Sequence, residues 1–140
     1  MSEPNKLRTV GSWMSLHPHT IGDDQMLDTA RERMLSLGIR HLGVLHGGHL
    51  VGIVSDRDIT LVESVPGVDI GEVAVSEGMS EEPWTVSPDA ELAEVARTMA
   101  ERRLGAALVV DKAGGDVLVG VFTTIDALRA LAEFSVEFAS

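Results

Sequence analysis

Residues 50–59, Leu50-Val51-Gly52-Ile53-Val54-Ser55-Asp56-Arg57-Asp58-Ile59, return at 118–127 as Leu118-Val119-Gly120-Val121-Phe122-Thr123-Thr124-Ile125-Asp126-Ala127. In each stretch an apolar run containing a glycine ends in a hydroxyl residue, and a carboxylate follows three positions later. The apolar run suits a buried strand, and a Ser or Thr followed three residues on by an acid suits a helix start. Each stretch therefore reads as a strand that runs directly into a helix beginning after Ser55 or Thr123.

The repetition extends upstream. At an offset of 65 residues Met14 falls on Met79, Ser15 on Ser80, Pro18 on Pro83, Thr20 on Thr85, Asp24 on Asp89, Leu27 on Leu92, Met34 on Met99 and Val44 on Val109. The offset becomes 68 for the quoted stretch, so three residues enter between Val44 and Leu50. They fall in a turn, His46-Gly47-Gly48-His49 in the first copy and Asp111 to Val117 in the second. Paired glycines between apolar runs signal a hairpin, and loops tolerate insertions.

Each copy opens with a short β segment after a proline, His19-Thr20-Ile21 or Trp84-Thr85-Val86. A helix follows, with an apolar stripe of Leu27, Ala30, Met34 and Leu37, or of Leu92, Val95 and Met99. Asp24 and Asp89 suit the starts of these helices, where backbone N–H groups lack partners. Two apolar strands come next, 42–45 with 50–54 and 107–110 with 117–122, then the last helix. The fold class is α/β, a βαββα unit present twice. A sheet so small cannot bury its own face, so neither half should be stable alone.

The segments GIVSDRDI (52–59) and GVFTTIDA (120–127), each after an apolar strand and a glycine turn, resemble the end of a CBS domain, as does the order of elements. The resemblance covers about residues 9 to 132. It implies two tandem CBS repeats packed about a pseudo-twofold axis into one Bateman module. The expected division is a flexible tail over 1–8, CBS domain 1 over 9–65, a linker over 66–75, CBS domain 2 over 76–132 and a tail over 133–140. Val65-Pro66-Gly67-Val68-Asp69 ends the first copy.

The same resemblance implies two clefts that hold AMP, ADP, ATP, S-adenosylmethionine or a related adenosyl ligand, with no cofactor required. Each would be composite. Ser55 and Asp58 would face Thr85, Val86, Leu104 and Gly105, while Thr123 and Asp126 would face Thr20, Ile21, Ile39 and Arg40. The apolar members would sandwich a purine whose edge is read by main-chain amides.

From the residues alone, Ser55-x-x-Asp58 and Thr123-x-x-Asp126 have two readings. One is a capping box, worth about 1 kcal/mol and common in helices. The other puts a phosphate at the hydroxyl and helix N-terminus and the ribose hydroxyls on the carboxylate. The second gains from two occurrences at equivalent places, each after a glycine, Gly52 or Gly120, that lets a ligand approach the strand. Arg40, at the start of its strand, could reach a phosphate in the Ser55/Asp58 cleft, with His41 beside it as a group that titrates near neutral pH; the alternative for both is a solvated strand end. The matching Leu104-Gly105-Ala106 is not basic, so the two clefts should be unequal. Arg102 and Arg103 suit a helix C-terminus and stay outside the site.

Other chemistry is weaker. His46-x-x-His49 and His17-x-His19 lack a placed carboxylate to complete a metal set, and Asp56 and Asp58 diverge at a helix start with no nucleophile beside them. Neither a metal nor a catalytic residue is expected. Cysteine is absent, which excludes disulfides and thiolate chemistry. No apolar run approaches the ~20 residues of a membrane span, and MSEPNKLRTV lacks the apolar core of a signal peptide, so a cytoplasmic location is expected. With 22 acidic against 11 basic side chains, no basic field draws nucleic acid or an anionic membrane.

The expected partners are the adenosyl molecule, a second copy and an unidentified effector protein. Of Ile59, Leu61 and Val62 on one terminal helix, and Ile125, Leu128, Leu131 and Phe134 on the other, some exceed what a small core absorbs and suit a homodimer face, the alternative being packing within the chain. Phe138 has no evident home within the repeat. The alternative is a ligand-free interaction or dimerisation module.

Overall fold

The computed structural model describes residues 8–16, 18–81, 83–113 and 117–139. They form two compact units, one from the described part of 1–18 with 84–140, the other from 19–83.

In the 19–83 unit the elements are β2 (Thr20–Gly22), α1 (Leu27–Leu37), β3 (His41–His46), β4 (His49–Ser55), α2 (Asp56–Glu63), α3 (Val75–Gly78) and β5 (Ser80–Glu81), with β1 (Ser15–Leu16) preceding them in the chain. Its sheet has the order β2-β3-β4-β5. β2 runs parallel to β3, and β3, β4 and β5 are antiparallel in turn. The β3–β4 hairpin turns at Gly47 (φ 56°) and Gly48 (φ 83°), both left-handed, as a two-residue turn matched to strand twist requires. Leu27, Ala30 and Met34 of α1 pack on Ile21, Leu42, Val44 and Val54 of the sheet and on Ile59 and Val75.

The other unit repeats this with β6 (Thr85–Val86), α4 (Leu92–Arg102), β7 (Ala106–Asp111), β8 (Val117–Thr123) and α5 (Thr124–Ala139), and its sheet runs β1-β8-β7-β6. Its core joins Leu92, Val95 and Met99 to Ala107, Val109, Phe122 and Ala130, with Val10 among them. The two βαββα copies are thus present, and each sheet gains a fourth strand from outside its own copy. β1, at the start of the first copy, pairs with β8 of the second; β5, at the start of the second, pairs with β4 of the first.

Several details differ from the simple repeat. Within segment 66–75, Ile70 and Val73 pack against the core of the 19–83 unit, and Val75 is buried in it. Asp24 and Asp89 do not cap helices. The N-cap positions are Met26 and Glu91, neither with a side-chain cap, because main chain from a distant segment does the work. The Leu27 amide donates to the Val73 carbonyl at 2.9 Å, and isolated bridges join Met26 to Ala74 and Glu91 to Thr9. Leu37 is exposed, just before the Gly38 cap, and of the two α2 residues Ile59 and Leu61 the first is fully buried and the second exposed. The 133–140 segment continues α5 as far as Ala139. Phe134 meets Trp13 edge-on at 6.1 Å between ring centroids, and the side chain of Phe138 lies outside the described residues.

The glycines of the two strands also have a different use. A Cβ on Gly52 would lie 2.6 Å from Met79 Sδ and 2.7 Å from the Ser80 carbonyl oxygen; one on Gly120 would lie 2.5 Å from Met14 Sδ and 2.9 Å from the Ser15 carbonyl oxygen. They admit the close approach of the exchanged strand.

Candidate functional site

β4 ends at Ser55 in extended conformation (φ −115°, ψ 161°) and the helix begins at Asp56. The Asp58 amide donates to Ser55 Oγ at 3.0 Å, and the Ser55 amide donates to Asp58 Oδ2 at 3.0 Å, so the capping box is complete. The start of β3 lies against it. Gly38 (φ 68°) closes α1 and the Ile39 amide donates to the Met34 carbonyl at 3.0 Å, turning the chain so that the Arg40 carbonyl accepts from the Asp56 amide at 2.9 Å. His41 stands opposite Ser55 in the strand register. Ile39, Arg40, Ser55 and Asp58 are therefore gathered at one junction, Ile39 half-buried and Arg40 exposed. His41 joins them. Burial lowers its pKa from 6.5, opposed by the Asp58 carboxylate and reinforced by Arg40.

The second junction follows the same plan. The Thr123 amide donates to Asp126 Oδ2 at 2.9 Å, and the Asp126 amide donates to Thr123 Oγ1 at 3.4 Å. The Leu104 amide donates to Met99, and the Gly105 carbonyl accepts from Thr124 at 3.2 Å, as Arg40 does from Asp56. Ala106 stands where the first junction has His41. Two differences go beyond the Arg40/Gly105 contrast. The Thr123 hydroxyl also donates to Asp126 Oδ2, at 3.1 Å, whereas the Ser55 hydroxyl has no acceptor among the described residues. Asp126 is 3% exposed and its Oδ1 has Arg129 Nη1 3.8 Å away.

Thr20, Ile21, Thr85 and Val86 lie at the sheet edges, on β2 and β6. Ile21 is buried in the core of the 19–83 unit, and Val86, half-buried, packs against the core of its own unit. Thr85 is exposed. The carbonyls of His19 and Trp84 accept from Gly43 and Leu108 in the neighbouring strand. Since successive carbonyls of a strand point to opposite sides, those of Thr20 and Thr85 face out of the sheet.

His46 Nδ1 is 3.0 Å from Asp23 Oδ2, an exposed contact beside the hairpin. Among the described residues no group of three or more His, Asp and Glu could hold a metal ion, and His17 lies outside them.

The family model of the CBS domain matches residues 10–64 and 70–133. The chain belongs to the CBS domain family. The CBS domain-containing protein YhcV of Bacillus subtilis is 28% identical over 136 residues, covering 92% of this chain and 96% of that one. Inosine-5'-monophosphate dehydrogenase of Korarchaeum cryptofilum is 32% identical over 107 residues, 76% of this chain but only 21% of the enzyme. Among solved structures, CBSX2 in complex with AMP superimposes with a TM-score of 0.74 at 25% identity, covering 91% of this chain and 98% of that one. The CBS pair is thus a tandem repeat shared with other proteins of this size and with a segment of a larger enzyme. No helix among the described residues is long and apolar enough to cross a membrane.

Two features of the CBS junctions were not legible beforehand. Arg129 sits one helical turn past Asp126, a spacing found on every helix. Arg33 donates from Nη1 to the Thr20 carbonyl at 2.6 Å, and nothing in a run of helix-forming residues marks a side chain that will reach a sheet edge.

Proposed function

We propose that this CBS pair is a non-catalytic regulatory module that binds an adenosyl ligand and signals its occupancy to a separate protein in the cytoplasm. The observation that carries the reading is the paired strand-to-helix junction. Asp58 uses one carboxylate oxygen, Oδ2, in the capping box, and its Oδ1 has no donor among the described residues. An acceptor of that kind suits a ribose diol. The Ser55 hydroxyl, free to donate, and the Arg40 guanidinium beside it suit a phosphate. The AMP in CBSX2, which this chain matches over 98% of that protein's chain, supports the ligand class.

A ligand shifts a regulatory equilibrium only by its difference in affinity for the two states. The proposed readout is a change in dimer shape or in partner contact. Ile125, Leu128 and Leu131 of α5, each more than half exposed, supply an apolar face for a second copy.

Calorimetric titration of the chain with AMP, ADP, ATP, S-adenosylmethionine and NAD, repeated on Asp58→Ala and Asp126→Ala, tests the reading. Binding of one adenosyl ligand that weakens in the Asp58 variant is the expected result. Silence with every ligand leaves the second reading, a ligand-free interaction module, which the self-satisfied Thr123/Asp126 junction and the exposed leucines of α5 favour. Chromatography of a nucleotide incubated with the protein and magnesium is expected to show no turnover.

A further inference from the structure

The two sheet edges offer the same main-chain groups, but among the described residues only one of them is open. β2 and β6 are both edge strands, and among the described residues the outward carbonyls of Thr20 and Thr85 have no further strand to pair with. At Thr20 the place is taken. Arg33 of α1 donates from Nη1 to this carbonyl at 2.6 Å, a charge-assisted bond in a half-buried setting. The equivalent residue of α4 is Thr98, whose side chain is too short for that reach, and Thr85 is exposed with no donor to its carbonyl among the described residues.

Adenine presents an exocyclic amine that needs an acceptor, and an outward strand carbonyl is one. A carbonyl already holding a guanidinium at short range repels a second approach by charge and by volume. Displacing Arg33 would leave its charge without that partner, a cost the second edge does not impose.

We propose that Arg33 closes the Thr20 edge to an adenosyl base, so that each chain takes one ligand, read by the main chain at Thr85. Arg33 is then a specificity-determining residue that acts by exclusion. This rests on the adenosyl reading above and adds to it the number of sites and their identity.

The test is the stoichiometry of AMP binding by titration calorimetry, with thermal melts to verify folding. The wild-type chain is expected to bind one AMP, and Arg33→Thr, which copies the second repeat, to bind two. The reciprocal Thr98→Arg is expected to weaken AMP about tenfold or more by capping the Thr85 carbonyl. Two AMP per wild-type chain would overturn the exclusion while leaving the adenosyl reading intact. One AMP in both wild type and Arg33→Thr, or unchanged affinity in Thr98→Arg, would also overturn it. No binding of AMP or any other adenosyl ligand to any of the three proteins would sink the adenosyl reading itself.

Discussion

Met79 lies across Gly52 so closely that a Cβ there would stand 2.6 Å from its sulfur, and Met14 holds the same position over Gly120. The thioethers are flexible, but the Ser80 and Ser15 carbonyls behind them belong to the exchanged strands and cannot give way without unpairing β5 or β1. Gly52→Ala and Gly120→Ala are each expected to cost about 1–3 kcal/mol in urea unfolding. A loss below about 0.5 kcal/mol in both would mean the strands adjust freely.

Gly38 and Arg103 end α1 and α4 in the same left-handed conformation, at φ 68° and 55°. Only the first is a glycine, and a side chain in that region is strained by crowding between Cβ and backbone. Arg103→Gly is expected to stabilise the protein by up to about 1 kcal/mol, the added freedom of the unfolded chain offsetting part of the relief. Denaturation midpoints decide it, and an equal loss would show that Arg103 makes compensating contacts.

His41 gives the protein a dependence on pH. Burial holds its pKa below 6.5, with Asp58 pulling it up and Arg40 adding to the lowering. The unfolded chain takes up this proton first as pH falls, so the stability that His41 contributes by staying neutral is complete above 6.5 and declines below it. His41→Ala, the residue of the second copy, is expected to flatten the slope of stability between about pH 7.5 and about pH 5. A slope equal to the wild type's would remove His41 from the account.

The apolar face of α5 predicts self-association. Leu128 and Leu131 are 59% and 60% exposed, and replacing both with Glu is expected to convert a dimer to a monomer in light scattering without lowering the melting temperature of the monomeric unit. A wild-type chain that is already monomeric at micromolar concentration would end the dimer proposal.

The repeat, the βαββα order, the hairpin at Gly47-Gly48 and both capping boxes were legible in the sequence. Each depends on residues close together in the chain: an apolar period, a φ that glycine tolerates, a hydroxyl three positions from a carboxylate. Asp24 and Asp89 do not cap, and the spacing could not show it, because partners far along the chain lie at the helix starts, the Val73 carbonyl on the Leu27 amide and Thr9 bridged to Glu91. Gly52 and Gly120 were rightly marked as places of close approach, but the approaching group is a strand of the same chain.

What the sequence alone determined is that two copies of one unit exist and that they differ at Arg40 and Gly105. Only the tertiary structure decided which segment completes which sheet, that the Thr123 hydroxyl is spent on Asp126 while that of Ser55 is not, and that Arg33 covers the Thr20 carbonyl. Those outcomes turn on donors and acceptors meeting across the fold, where side-chain reach and carbonyl direction count and spacing along the chain carries no information about either.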